Sequence, residues 1–240
     1  MRKLYEKNEL LFALVCIGVY VLGFGNADML SQAMGMPKLV TTVFGAAMSA
    51  VLFLFVKKNG LMQRFGLCRS SAGGRQMLWY LPLVLISSVN LWCGLTAAPS
   101  KAEAVLHILG MLSVAFLEEL IFRGFLFKAM CRDSVATAII VSSLTFGMGH
   151  AVNLLMGAPL FETLLQLCYA SAVGFCYTAV FHTGGSILPC IASHAAVNCM
   201  SIFAQQPSAA LQTVFAAAET LIGVCYGAWL LRGHNRNKTV

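Results

Sequence analysis

Charged residues are scarce in this 240-residue sequence, since Asp, Glu, Lys and Arg together make up only 10% of it. A typical water-soluble domain carries about 25%. No polar tract is long enough to form a second, soluble domain. The hydrophobic share of 59% and the mean hydropathy of +0.79 are typical of a membrane protein. The sequence therefore predicts one membrane domain over residues 1–240.

Several common catalytic and metal-binding signatures are also missing. The nine cysteines have no CxxC or other metal-ligand spacing, and most lie in apolar runs, where a thiol behaves as a small hydrophobe. The serines of these runs lie outside a GxSxG context, which disfavours a serine nucleophile. HExxH is absent, and nothing suggests the duplicated halves of many transporters.

Long apolar runs dominate what is present. A helix needs about 20 mainly apolar residues to cross the hydrocarbon layer. The runs predict an all-α, polytopic membrane helix bundle with about eight transmembrane helices. The predicted spans are Leu10–Phe24, Leu39–Val56, Met77–Thr96, Ala104–Phe127, Val135–Leu155, Phe161–Phe181, Ser186–Ala204 and Ala209–Leu231. We interpret the first run as an uncleaved helix, although its basic start and the small residues at 25–27 are reminiscent of a signal peptide.

The distribution of basic residues predicts an orientation. Lys and Arg are retained on the cytoplasmic side in short loops. With eight spans and both termini cytoplasmic, thirteen of the 16 basic residues fall on that side, and only Lys38, Lys101 and the intramembrane Arg123 do not. The net charge of +7 is then explained by orientation and contact with the lipid bilayer, without a nucleic-acid partner. We expect a multi-pass protein of the cytoplasmic membrane.

The fourth predicted span contains ionisable residues in the stretch FLEELIFRG. Glu118, Glu119 and Arg123 each cost about 2.5–3.5 kcal/mol at mid-bilayer on insertion scales, so they must face the bundle interior or a cavity. Glu119 and Arg123 are four residues apart, share a helix face and can pair. Glu118 is rotated by about 100° from Glu119, so its carboxylate requires a separate explanation.

Two later spans supply further polar groups. FGMGH ends at His150, and HAAVN runs from His194 to Asn198, with small residues beside both that would let helices approach closely. From the rise per residue, Glu118 lies about 15 Å, His150 about 20 Å and His194 about 12 Å from the cytoplasmic ends of their helices. These side chains can therefore meet in one layer of the membrane.

Taken singly, these groups are explained by interhelical hydrogen bonds or by chance. Together, two carboxylates, one guanidinium, two imidazoles and one carboxamide are the groups that a hydrolytic site uses. Glu118 and His150 can hold and activate a water molecule. His194 and Asn198 can direct N–H groups at a developing oxyanion. Arg123 would neutralise and fix the second carboxylate.

The motifs EELIFR, FGMGH and HAAVN resemble EExxxR, FxxxH and HxxxN of the CAAX-protease and bacteriocin-processing (CPBP) family, which includes the type II CAAX prenyl endopeptidase. The resemblance covers residues 118–198. It implies an eight-helix intramembrane glutamate protease without a metal or other cofactor, acting on a peptide or membrane-protein substrate. It assigns the catalytic water to Glu118 and His150, the oxyanion to His194 and Asn198, and the rest of the first motif to Glu119 and Arg123. Many bacterial members are linked to peptide export, bacteriocin immunity or regulation.

Two alternatives remain open. Glu118, His150 and His194 could ligate Zn²⁺ with an open fourth position, as in a metalloprotease. A non-catalytic immunity or regulatory protein could use the same cluster to bind a partner peptide. Outside the motifs, we interpret Glu219 in the last span as an interhelical contact. The basic loop Lys57–Arg75 resembles an interfacial segment on anionic lipid, although a simple positive-inside loop explains it equally well.

Overall fold

A computed structural model describes residues 1–70, 73 and 78–236. The loop residue Arg75, the predicted start of the third span at Met77 and the basic Lys238 lie outside these residues. The helices are α1 (Arg2–Lys7), α2 (Glu9–Ala33), α3 (Leu39–Lys58), α4 (Leu81–Ser87), α5 (Lys101–Glu118), a π-helix (Glu119–Phe127), α6 (Lys128–Met130), α7 (Val135–Gly149), α8 (Val152–Leu155), α9 (Leu160–Gly184), α10 (Leu188–Met200) and α11 (Ala209–Arg236). In this described part, no strand forms and one isolated bridge joins Leu95 to Ala204.

Six helical segments of the described chain are long and apolar enough to cross a membrane, which confirms a polytopic helical membrane protein. They are Glu9–Ala33, Leu39–Lys58, Lys101–Met130, Val135–Leu155, Leu160–Gly184 and Ala209–His234. The third and seventh predicted spans correspond to shorter apolar helices, Leu78–Ser87 and Leu188–Phe203. The count of eight and the side of the termini are therefore not confirmed.

The third predicted span is short because its helix ends early. The Ser87 hydroxyl donates a hydrogen bond to the backbone carbonyl of Leu83 at 2.7 Å, and the Ser88 hydroxyl donates one to that of Leu85 at 2.8 Å. A 3-10 turn follows at Val89–Leu91. Gly94 then adopts a φ of 99°, in the left-handed region that only glycine enters readily. Hydropathy alone does not register these interruptions, because the residues between them are apolar.

Side-chain caps fix where the helices that carry the first two motifs begin. Ser100 accepts a hydrogen bond from the backbone N–H of Glu103 at 3.1 Å, and Ser134 accepts one from Thr137 at 3.2 Å. The first cap starts α5 and the second starts α7. The caps thereby set the register in which the polar residues of α5 and α7 enter the bundle.

Glycines bring α7 and α11 into close contact with α9. A Cβ on Gly147 of α7 would lie 2.0 Å from Ser171 Oγ, and a Cβ on Gly223 of α11 would lie 2.7 Å from the backbone oxygen of Ala172. The expected close approach at small residues is thus found at Gly147, whereas a Cβ on Gly149 would meet open space. Helix α9 therefore packs between two neighbours at backbone distance.

The π-helix lies at the centre of the bundle. All nine of its residues are buried. Phe125 packs edge-on against Phe12 of α2 and Phe65, with ring centroids 5.1 and 4.9 Å apart. Its hydrogen bonds run from residue i to i+5, a rare geometry found mostly in short pieces at functional sites. This segment carries two of the three ionisable residues of the first motif.

We predict that Gly223→Ala destabilises the protein by about 1–3 kcal/mol, because the new methyl group meets backbone that no rotamer change can move away. The free energy of unfolding in detergent micelles, from an SDS titration, measures the loss. Gly18→Ala in α2 is the control, since its Cβ meets nothing within 4 Å, and it should change stability by less than about 0.5 kcal/mol. Equal effects of the two variants would disprove the close contact.

Candidate active site

Glu119 and Arg123 form a fully buried ion pair in the π-helix. Both side chains are 0% exposed, and Arg123 Nη1 lies 3.2 Å from Glu119 Oε1. His194 of α10 adds its Nδ1 to the same carboxylate oxygen at 3.0 Å. The i, i+4 pair expected from the sequence is therefore present, and it is also tied to the third motif.

Aromatic rings enclose the Arg123 guanidinium. Its Cζ lies 4.1 Å from the ring centroid of Phe146 and 5.6 Å from that of Tyr177, within the range of cation–π attraction. A Cβ on Gly174 would come within 3.2 Å of Arg123 Nη2 and 3.0 Å of Phe146 Cδ1. The glycine on α9 thus leaves the space that the guanidinium and the ring occupy.

The first residue of the FxxxH motif holds both imidazoles in place. The Phe146 ring meets His150 edge-on with centroids 5.8 Å apart, and it meets His194 edge-on at 5.7 Å. Since the same ring also covers Arg123, the aromatic position of this motif fixes three polar groups of the site. The spacing of the motif alone does not predict that Phe146 contacts all three groups.

The Glu118 carboxylate is positioned by helices α2 and α10. Tyr20 of α2 donates a hydrogen bond to Glu118 Oε1 at 2.5 Å. Glu118 Oε2 lies 3.4 Å from His194 Nε2 without forming a hydrogen bond to any described residue. The two glutamates therefore point in different directions, as the rotation between adjacent helical residues requires, and one imidazole bridges the gap between them.

Glu118 and His150 border a common cavity of about 220 Å³. Tyr20 of α2 and Asn153 of α8 also line it. The ion pair of Lys38 with Asp28, at 2.6 Å, lies on the same wall and is partly exposed. Glu118 and His150, which lie on different predicted spans, thus border the same cavity.

A chain of two amides orients His150. Gln166 Nε2 of α9 lies 3.2 Å from His150 Nδ1, and Asn153 Nδ2 donates to Gln166 Oε1 at 2.8 Å. In this orientation of the Gln166 amide, its oxygen faces Asn153 and its amino group faces the imidazole. Nδ1 of His150 is then an acceptor, and the proton of the neutral ring is on Nε2.

Asn198 is the site residue that lies apart from the cluster. Its backbone oxygen accepts hydrogen bonds from His107 Nε2 at 2.9 Å and from Ser201 Oγ at 2.7 Å. The residue borders a second cavity of about 490 Å³, which Glu118 and His150 do not line. The expectation that His194 and Asn198 converge on one point is not seen in these contacts, although the two are one helical turn apart.

Two residues of the site escaped sequence analysis. Tyr20 and Gln166 lie in spans that were interpreted only as membrane helices, yet they bond the two residues expected to hold the water. Polar groups within an apolar span were the available signal, because such groups normally seek a partner in the bundle.

The proposed zinc ligands do not form a recognisable metal site. Over the described residues, no group of three or more His, Cys, Asp or Glu side chains has an arrangement that could hold a metal ion. His194 directs Nδ1 to Glu119. His150 directs Nδ1 to Gln166. Both contacts use Nδ1, so Nε2 is the nitrogen that the zinc alternative would require as ligand, and the chelator experiment below decides between the two schemes.

Comparison with known proteins agrees with the motifs. Residues 100–200 match the family model described as "Type II CAAX prenyl endopeptidase Rce1-like". This segment contains α5, the π-helix, α7 and α9, and it ends with α10. Neither the curated proteins nor the solved structures give a match.

We predict that Arg123→Met destabilises the protein by about 3–5 kcal/mol, because Glu119 would be left as an unpaired buried charge. The double variant Glu119→Gln, Arg123→Met should lose less than Arg123→Met alone. SDS titration in micelles measures both. Arg64→Met, which breaks a partly exposed pair with Glu9, should cost at most about 1 kcal/mol. Additive losses in the double variant would contradict a coupled buried pair.

Proposed function

We propose that this chain, which its match over residues 100–200 assigns to the CPBP family of CAAX-type membrane proteases, hydrolyses a peptide bond within the membrane by means of a water molecule activated by Glu118 and His150. The observation that carries the proposal is the shared cavity of these two residues beside a buried Glu119, Arg123 and His194 cluster. The substrate is a peptide or a membrane protein.

Glu118 is the general base in this scheme. The Gln166 amide occupies Nδ1 of His150, so the neutral imidazole can only donate, through Nε2. The carboxylate accepts a proton from water as the hydroxide oxygen attacks the carbonyl carbon. Glu118 then returns that proton to the amide nitrogen as the C–N bond breaks, so that an acid and an amine leave. Tyr20 keeps the carboxylate in place through its hydrogen bond.

His194 stabilises the oxyanion. Its Nδ1 faces Glu119, and its Nε2 lies 3.4 Å from Glu118 without a hydrogen bond, so Nε2 remains available to a substrate oxygen. For Nε2 to donate to that oxygen while Nδ1–H bonds Glu119, the ring carries a proton on both nitrogens. Asn198 serves as the second donor once a substrate spans the gap between the cavities.

The surrounding membrane is the cytoplasmic membrane, with both termini in the cytoplasm. The support is the bias of basic residues toward the connectors assigned to that side, such as Lys57, Lys58 and Arg132. On this orientation the polar cluster lies in the cytoplasmic half of the bundle. Cleavage then occurs near the cytoplasmic end of a substrate segment.

We predict that Glu118→Gln lowers turnover at least about 100-fold, the usual contribution of a positioned general base, because the amide cannot accept a proton. The change preserves shape and still accepts the hydrogen bond from Tyr20. Membrane-protein fragments from cells that express wild type or variant, compared by mass spectrometry, identify substrates, and prenylated and unprenylated peptides then define the class.

Glu103→Gln on the same helix is the matched control and should leave the fragments unchanged. If Glu118→Gln and His150→Ala both leave cellular function intact, the protein is a binding or immunity protein and the protease proposal fails.

Chelators distinguish the metal-free scheme from the zinc alternative. We predict that 1,10-phenanthroline and EDTA leave cleavage by purified protein unchanged, because the proposed chemistry needs only side chains and water. Loss of activity with either chelator, followed by recovery on addition of Zn²⁺, would instead assign Glu118, His150 and His194 as ligands. Metal analysis of the same preparation is the independent readout.

A further inference from the structure

The larger of these two cavities, of about 490 Å³, is lined by many polar side chains. Its walls come mainly from α9, α10, α11 and the connector after α10. Amides line much of it, from Asn90, Gln166, Asn198, Gln205, Gln206 and Gln212. Of the described residues that border it, none is Lys, Arg or His, whereas two are glutamates. A cavity of this composition favours ligands that are positively charged and donate hydrogen bonds.

Glu219 is the buried acidic group of this cavity. It is only 6% exposed, and within the described part of the chain it forms neither a hydrogen bond nor an ion pair. An interhelical contact, the role expected from the sequence, requires a polar partner on a neighbouring helix. Among the described residues no hydrogen bond or ion pair of this kind forms, although the phenol of Tyr169 on α9 borders the same cavity. Glu162, exposed at the start of α9, adds a second carboxylate to the same wall.

Electrostatics favour a cation at this place. A carboxylate taken out of water loses hydration that only a nearby positive charge or several donors can replace. Clefts with one sign of charge and low-dielectric walls concentrate the field and draw in ligands of opposite sign. Glu219 and Glu162 act together in this way, and the surrounding amide oxygens can accept the remaining N–H groups of an ammonium or guanidinium ion.

The cavity is joined to the catalytic residues through two side chains. Asn198, the second oxyanion donor in the proposed reaction, borders it. Gln166 also borders it and bonds His150, which lies on the wall of the catalytic cavity. A peptide whose carbonyl oxygen accepts a hydrogen bond from Asn198 therefore has its neighbouring residues beside the larger cavity and its two glutamates.

We propose that this cavity is a substrate subsite that binds a Lys or Arg side chain of the peptide through Glu219. The assignment rests on the proposed protease function and gives its substrate class, a peptide with a basic residue close to the cleaved bond. A neutral or acidic side chain in the same position would leave the Glu219 carboxylate unpaired.

The test measures binding to the Glu118→Gln protein in lipid nanodiscs, so that cleavage does not intervene. The probes are three fluorescein-labelled peptides of one sequence of Ala and Leu with a single Lys, acetyl-lysine or norleucine at the centre. The Lys peptide should bind at least about 10-fold more tightly than the other two. Adding Glu219→Gln should abolish this preference, whereas adding Glu103→Gln should preserve it.

Equal affinities of the three peptides for the protein that retains Glu219 would overturn the subsite, and this comparison needs no change at residue 219. A preference for Lys that survives Glu219→Gln in a protein with unchanged thermal unfolding would overturn it as well. Failure of the protease proposal looks different. In that case the Lys preference depends on Glu219 as expected, but wild type leaves the peptides and the cellular membrane proteins uncut.

Discussion

The burial of two adjacent carboxylates inside an apolar bundle is the constraint on which the rest of this structure depends. Glu119 is compensated by Arg123 and by an imidazole nitrogen of His194. Glu118 accepts a hydrogen bond from the Tyr20 hydroxyl, and the other nitrogen of the same imidazole lies 3.4 Å away. One carboxylate thus has a cation and an imidazole at one of its oxygens and is fully buried, whereas the other borders a cavity. This asymmetry is what the proposed reaction uses, with Glu119 as the structural carboxylate and Glu118 as the base.

The helices around the pair satisfy that constraint from several directions. The π-helix lies in the centre with every residue buried, so its two ionisable groups have no route to the membrane surface. Phe146 on α7 covers the guanidinium, and Gly174 on α9 leaves room for it. Close glycine contacts hold α7 and α11 against α9. The contact between α7 and α9 therefore combines close helix packing with the enclosure of the buried Arg123 charge.

Sequence patterns predicted the helical membrane class, most of the spans and the ion pair, because hydropathy and i, i+4 spacing are local properties. The third span was overestimated in length, since Ser87, Ser88 and Gly94 end or bend an apolar run that hydropathy reads as continuous. Tyr20 and Gln166 were missed because their partners lie far away in the chain. The different surroundings of His194 and Asn198 depend on how α10 packs, which i, i+4 spacing does not specify.

The amide of Gln166 has a consequence for the interior of the bundle. It borders the larger cavity, while its bonds to His150 and Asn153 hold two residues on the wall of the smaller one. Gln166 therefore lies between the two polar spaces. Its two hydrogen bonds hold the side chain in place, so that a shorter side chain at this position would join two polar spaces inside a bundle that is otherwise apolar.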